Sequence, residues 1–337
     1  MTQPLTAVVQ GQLPASFPRS EFDGRVDFIQ VESDASLKTD VKCADILFGW
    51  LVPEEVPAAT SRLRWIQLPS AGTNHLHHLP VWSSDITITT SSGVHIVPMT
   101  EHIFAMLLAL IRHIPTFVRE QDRAEWERVP TDEFRELRGT TMGIVGWGRI
   151  GAGIAHAAAA FGMRVLGVRG SINRVEAIDL AVSAYADAPF LEPVETGLSI
   201  VYPPDQLAEM LGESDVVASV LPLTLKTRRL FDGEAFANMK HGSLFLNIGR
   251  GGVVDEPALT RALREGKLRG AGLDVFAEEP LPPDSELWGM PQVIITPHVG
   301  GDSYRTRDRE AAFFAVNLRR YLSGSPLLNV VEREKGY

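Results

Sequence analysis

Apolar or β-branched runs recur along the first ninety residues, at 7–9, 27–31, 46–49, 65–68 and 86–89, each bounded by polar or loop-forming positions. Runs this short, without strict alternation, suit strands buried on both faces. The segments between them are long enough for crossover helices, which favours a parallel sheet. A second series follows at 141–145, 164–168, 216–221, 243–247, 271–275 and 293–296, with similar spacing. Both halves of the chain therefore read as α/β units.

A change of texture separates the two series. Pro98 can occupy the first turn of a helix, and Ile103, Phe104, Met106, Leu107, Leu108, Leu110 and Ile111 cover nearly its whole circumference. Such a helix must be buried, either in a core or between domains or subunits. A last helix places Ala311, Phe314, Ala315, Leu318 and Leu322 on one face and stops at Gly324. It is expected to pack back on the first unit, making that domain discontinuous: 1–99 with 301–337, and 100–300 inserted between them. An Ala-rich helix is expected over 151–161, and Asp255, just ahead of Pro257, is a cap candidate. The stretch 171–204 is less regular and reads as a small insertion.

Composition narrows the function classes. The 337 residues are 45% hydrophobic and 22% charged, enough for two ordinary cores. The longest apolar stretch, 103–111, is too short for a bilayer, and residues 1–17 lack the pattern of an export signal, so a cytoplasmic protein is expected. Cys43 is the one cysteine, which excludes an intrachain disulfide. Asp plus Glu total 42 against 32 Lys plus Arg, a net charge of −10 that disfavours nucleic acid and anionic lipid as partners. His75, His77 and His78 lie close together but lack neighbouring acidic or cysteine ligands, so a surface turn is preferred to a metal site.

One segment carries clear binding chemistry. The apolar strand ending at Val145 runs directly into Gly146-Trp147-Gly148-Arg149-Ile150-Gly151 and then into the Ala-rich helix. In that context the glycines have separate duties: Gly146 for the tight turn, Gly148 for close approach of a pyrophosphate, and Gly151 for helix–strand packing at the helix N-terminus. The next strand ends in Val168-Arg169-Gly170-Ser171, where an NAD site would present a carboxylate to the ribose. Arg169 and Ser171, with Arg174 nearby, instead suit a 2′-phosphate, so NADP(H) is preferred and NAD(H) stays possible. The alternative is an arginine that is solvated, or that stacks on adenine without discriminating.

Three later strands end in charged residues. Arg250 follows Asn247-Ile248-Gly249, Glu279 ends the stretch that begins Leu273-Asp274, and His298 follows Thr296-Pro297. Reduction of a 2-oxo acid needs a cation for the carboxylate and carbonyl, and an acid to protonate the oxygen as hydride arrives. Arginine binds carboxylate with two donors without joining proton transfer, whereas histidine joins it, and an anionic Glu279 beside His298 would favour the imidazolium. Each residue taken alone also has a structural reading.

Those segments, with Leu221-Pro222-Leu223-Thr224, resemble the D-isomer-specific 2-hydroxyacid dehydrogenase family over nearly the whole chain. The resemblance implies two doubly wound parallel-sheet domains, a Rossmann cofactor domain inserted into a flavodoxin-like substrate domain. It implies Arg250 as substrate-binding arginine, His298 as acid/base, Glu279 as its carboxylate partner and Asp274 as a contact to the nicotinamide carboxamide. It places Leu221, Pro222, Asn247, Ile248 and Gly249 beside the cofactor, and Ala71, Gly72 and Thr73 in a loop whose amides hold the substrate carboxylate, an ordinary turn being the other reading. Trp50 and Leu51 would line the substrate side-chain pocket, and Trp126 falls near it in related reductases, although packing is the safer reading there. A homodimer is expected, and Arg169 points to glyoxylate or hydroxypyruvate reductases linked to NADPH. Two rivals stand: a formate- or phosphite-type dehydrogenase, against which Glu279 argues because formate enzymes carry Gln there, and a nucleotide-sensing binding protein, which has no need of the charged trio.

Overall fold

The computed structural model describes residues 3–56, 60, 62–170, 176–179 and 198–334. It divides into two compact units, Met1–Val94 with Ser303–Tyr337, and His95–Asp302.

In the first unit β1 (Leu5–Gln10), β2 (Val26–Val31), β3 (Ile46–Phe48), β4 (Trp65–Gln67) and β5 (Thr87–Thr89) form one parallel sheet in the order β2-β1-β3-β4-β5. That is the flavodoxin-like winding. Side chains alternate across the sheet, as the pleat requires. Val8, Leu47, Ile66 and Ile88 pack with Leu37 of α1 (Asp34–Asp40). Ala7, Val9, Ile46, Phe48 and Trp65 pack with Phe314, Ala315 and Leu318 of the last helix, α8 (Thr306–Leu322). Both faces are covered, so the strands read as unbroken apolar runs. Phe314 stacks on Phe48 at 4.5 Å, and its truncation to Ala would cost about 3–5 kcal/mol. Asn317, fully buried on α8, donates to Gln67 of β4 at 3.0 Å, which sets the helix in register.

In the second unit β6 (Thr141–Val145), β7 (Arg164–Val168), β8 (Glu176–Asp179), β9 (Leu198–Tyr202), β10 (Val216–Ser219), β11 (Ser243–Asn247), β12 (Leu268–Leu273) and β13 (Val293–Ile295) form a sheet ordered β13-β12-β11-β10-β6-β7-β9-β8. All neighbours are parallel except β8 with β9. The chain winds outward from β6 through β7 to β9, then crosses to β10 and winds the other way, so the strand order reverses beside β6. Open α/β sheets bind ligands at the carboxyl ends of their strands at such a reversal.

Two boundaries differ from the sequence reading. The apolar helix α2 (Ile96–Ile111) lies wholly in the second unit, which starts at His95 rather than 100 and ends at Asp302 rather than 300. The reason is contact from its first turn: a Cβ on Gly153 of α4 (Arg149–Ala160) would sit 2.5 Å from Ile96, so the two helices meet along their full overlap. Ile103, Met106 and Leu107 continue that packing against Ile144, Ile154 and Leu246. β8 and β9 fall within the stretch that reads as irregular. Asp255 stands at the N-cap of α7 (Glu256–Arg264), but its side chain makes no cap bond there. It pairs with Arg229 instead. Among the described residues no single helix is long and apolar enough to cross a membrane.

Candidate active site

The loop from β6 into α4 is built by what its glycines lack. Gly146 has φ 111°, and a Cβ there would meet the Val220 backbone at 3.0 Å, just beyond β10 at the reversal of strand order. Gly151 brings α4 so close that a Cβ would lie 2.6 Å from the Gly146 carbonyl oxygen. The amides of Gly146 and Trp147 both donate to the Val168 carbonyl, closing the turn against β7. α4 opens at Gly148 with no side-chain cap, so its first-turn amides, among them those of Ile150 and Gly151, form the positive end of the helix dipole. Around Gly148 a Cβ would meet nothing within 4 Å. Uncapped donors beside open space are what a pyrophosphate requires, and these residues fit a dinucleotide.

Several residues expected beside the cofactor turn out to spend their side chains elsewhere. Trp147 is 5% exposed and lies over Gly167, where a Cβ would come 2.1 Å from its ring. Ile150 packs on the same core, and Ile248 is buried within it. Asn247 is buried, accepts from the Gly249 amide at 3.1 Å and donates to the Arg250 carbonyl at 3.2 Å, so it braces the turn that carries Arg250. Gly249 lets that turn approach Leu221, where a Cβ would meet backbone at 2.7 Å. The Pro222 carbonyl accepts from Thr227 at 2.6 Å. What these positions present at the strand ends is backbone, for which periodicity gives no signal.

Arg169 lies at the end of β7, anchored through its amide to the Tyr202 carbonyl at 3.1 Å. Its side chain is exposed, and the guanidinium has no protein partner among the described residues. Ser171 and Arg174 lie outside the described residues.

The charged trio comes together within the second unit. Glu279 accepts from the Phe276 amide through Oε1 at 3.0 Å and pairs with His298 Nδ1 through Oε2 at 2.7 Å. The His298 ring is 47% exposed, and its Nε2 has no protein partner among the described residues. Arg250 is half-buried at the end of β11 and donates to the Gly249 carbonyl at 2.7 Å. Burial holds its guanidinium below the usual range, and the charge of Glu279 pushes it back up. It remains a cation. Arg250 and Glu279 are held near one another because Gly251 packs directly on the Phe276 carbonyl, where a Cβ would lie 1.8 Å from carbon.

Asp274 fixes the turn that carries His298. The carboxylate is 1% exposed, and Oδ1 accepts from the Val299 amide at 2.9 Å and the Thr296 hydroxyl at 2.6 Å. Oδ2 accepts from the Gly300 amide at 2.9 Å, and the Asp274 carbonyl takes the His298 amide at 2.9 Å. Three consecutive amides thus converge on one residue. They hold His298 at φ 55°, a left-handed conformation that costs a side-chain-bearing residue about 1–3 kcal/mol and persists only when its surroundings impose it. The expected contact to a nicotinamide carboxamide is left Oδ2, which has one protein donor.

In the first unit the loop after β4 shows a simpler arrangement. Ser70 Oγ donates to the Gly72 carbonyl at 2.8 Å and the Ser70 carbonyl takes the Ser91 amide at 2.9 Å, which pins the loop. The amides of Ala71 and Gly72 have no protein acceptor among the described residues, whereas Thr73 is 1% exposed and meets His77 at 3.2 Å. Trp50 stacks on His75 at 3.9 Å, and Leu51 is tied to Gln10 through its amide and carbonyl. Trp126 is 96% exposed and packs on nothing in its own unit.

Comparison with known proteins agrees with this geometry. Residues 104–300 match the D-isomer specific 2-hydroxyacid dehydrogenase, NAD binding domain. The chain is 34% identical over 301 residues to a glyoxylate reductase of Korarchaeum cryptofilum, covering 87% of this chain and 84% of that protein. It is 33% identical over 271 residues to an (S)-sulfolactate dehydrogenase of Chromohalobacter salexigens, covering 80% and 81%. An NADPH-dependent glyoxylate/hydroxypyruvate reductase from Sinorhizobium meliloti, solved with NADP and sulfate, superimposes with a TM-score of 0.77 at 27% identity, over 99% of this chain and 100% of that one. The dinucleotide turn, the charged trio and the match over more than half the chain lead to one conclusion: this protein is an NAD(P)-dependent enzyme of the D-isomer-specific 2-hydroxyacid dehydrogenase family.

Proposed function

We propose that the enzyme reduces a small 2-oxo acid of the glyoxylate or hydroxypyruvate kind to the 2-hydroxy acid, with NADPH as preferred reductant. The observation that carries the reaction type is the 2.7 Å pair of His298 Nδ1 with Glu279, which leaves Nε2 as the ring nitrogen open to a substrate oxygen. When bound, the dihydronicotinamide supplies a hydride. Arg250 holds the substrate carboxylate and favours negative charge developing on the carbonyl oxygen. His298 delivers the proton that this oxygen needs, and Glu279 stabilises the imidazolium before transfer. Overall, 2-oxo acid, NADPH and a proton give 2-hydroxy acid and NADP+. In the first unit, the amides of Ala71 and Gly72, without a protein acceptor among the described residues, are donors of the kind an anion nest supplies.

The cofactor preference rests on Arg169: an exposed guanidinium, unpaired among the described residues, ends the strand where an NAD site places a carboxylate. The Sinorhizobium meliloti reductase, solved with NADP, supports that reading. The small substrate rests on the glyoxylate reductase relatives, among them that of Korarchaeum cryptofilum. A homodimer belongs to the same proposal. Ile114 and Val118 of α3 (Ile114–Asp122) and Trp126 are exposed apolar groups that a second copy would cover, and light scattering tests it.

Steady-state oxidation of NADPH and NADH against 2-oxo acids of increasing side-chain size is the test. The expected result is the highest kcat/KM for NADPH with glyoxylate or hydroxypyruvate. Absence of turnover with every 2-oxo acid would overturn the reaction type, and a preference for NADH would overturn the role of Arg169.

A further inference from the structure

Thr296 has one hydroxyl proton, and the buried Asp274 carboxylate, an acceptor, takes it at 2.6 Å. The same hydroxyl oxygen lies 2.9 Å from Nε2 of His102, on α2. With its proton already committed, Thr296 can only accept there, so His102 carries a proton on Nε2 and donates it. His102 Nε2 also lies 3.4 Å from Asp274 Oδ1. The imidazole is mostly buried, at 19% exposure, and a Cβ on Gly300 would come within 3.3 Å of its ring, so it is packed directly against the turn. A directed chain of hydrogen bonds thus runs from His102 to Thr296 to Asp274, and Asp274 receives the amides of Val299 and Gly300 and, at its carbonyl, that of His298.

We propose that His102 is a positioning residue for the reaction: by fixing the Thr296 hydroxyl on Asp274 it holds the left-handed turn that aims the His298 ring. Among the described residues, the charged and titratable groups around that ring and its support include Glu279, paired with His298, Asp274 beneath the turn, Arg250 near Glu279, His102 on the far side of Asp274, and His95, 3.2 Å from the Gly301 carbonyl just after the turn. Without His102 the Thr296 hydroxyl is free to rotate, Oδ1 keeps the Val299 amide but loses the constraint on its second donor, and the amide cluster that imposes the turn loosens. His298 then samples orientations that do not present Nε2 while keeping its contact with Glu279. The effect should fall mainly on kcat: the glycine loop takes no part in this chain, and Asp274 Oδ2, the expected carboxamide contact, keeps its Gly300 amide donor.

This inference rests on the proposed role of His298 as proton donor, so its test includes a readout that needs no substrate. In His102→Leu, kcat should fall by at least about tenfold, less than removal of the acid itself would give, with the KM for NADPH within about twofold of wild type. His102→Gln, whose amide can donate to Thr296, should restore most of the loss, and Thr296→Ser should likewise surpass Thr296→Val. The His298 imidazole resonances, recorded by 15N NMR at fixed pH in the substrate-free protein, should broaden or shift as the ring samples other orientations in His102→Leu and match wild type in His102→Gln. The double variant His102→Leu/Thr296→Val should be no worse than either single one, because both break one chain. If His102→Leu does not fold, Thr296→Val, which keeps the shape of threonine, reads the same chain. Wild-type kcat and unchanged His298 ring resonances in Thr296→Val or His102→Leu would overturn the proposal, as would equal damage in His102→Leu and His102→Gln. A wild-type enzyme inert towards all 2-oxo acids would overturn the functional reading alone, and the NMR comparison would still decide the role of His102.

Discussion

The cofactor loop and the turn that carries His298 both sit at the carboxyl ends of strands in the same sheet, yet they treat their backbone amides in opposite ways. In the loop, α4 opens at Gly148 with no side-chain cap and beside open space, which leaves first-turn amides accessible to an anionic ligand. In the turn, the amides of His298, Val299 and Gly300 are all taken by Asp274, with Thr296 and His102 behind it. Binding an anion requires donors left unsatisfied, whereas aiming one proton requires that nothing be free to move. The same fold position therefore gives a receptive loop in one place and a rigid one in the other.

Three substitutions sharpen or break that contrast. Asp274→Ala should have the largest effect, on fold and rate together. Each buried amide left without an acceptor costs about 1–3 kcal/mol, so Tm falls by several degrees, and kcat falls about a hundredfold or more as His298 loses its orientation. Calorimetry with single-turnover kinetics measures both, and an unchanged Tm would show that the turn does not depend on Asp274. Arg169→Asp should act on ligand choice alone. Loss of a charge-assisted contact of about 1.5–3 kcal/mol should move the NADPH to NADH ratio of kcat/KM by about 10- to 100-fold, and a constant ratio would remove Arg169 from cofactor discrimination. Gly148→Ala should be mildest. Its Cβ meets no protein atom, so Tm should stay as it is while the Kd for NADPH rises about tenfold from crowding of the bound pyrophosphate. A drop in Tm with unchanged affinity would reverse the contrast.

Much of this was legible in the sequence where burial on both faces writes itself as an apolar run. The segments 141–145, 164–168 and 243–247 are strands over the same residues, because every side chain except Arg164 is buried. β12 begins at Leu268 rather than 271, since Arg269 and Gly270 interrupt the apolar pattern while the backbone continues to pair. Arg250, Glu279 and His298 could be read as a set because each is a charged residue just beyond an apolar strand. His102 could not. It is one of three consecutive polar residues, with Thr100 and Glu101, in a helix that is otherwise apolar, it lies 194 positions before Thr296, and only the packing of α2 beside the sheet brings the two together. The packing duties of Trp147 and Asn247 were hidden for the converse reason: their positions lie at the cofactor loops, while their side chains turn inward.

The most direct test of the account is a single turnover of enzyme preloaded with NADPH and mixed with glyoxylate, comparing wild type with His298→Ala. Bound-cofactor fluorescence should report the same affinity in both proteins, while the rate of NADPH oxidation falls by about a hundred- to ten-thousandfold in the variant. Equal rates would contradict the assignment of His298 as the proton donor, and with it the reason for the rigid turn.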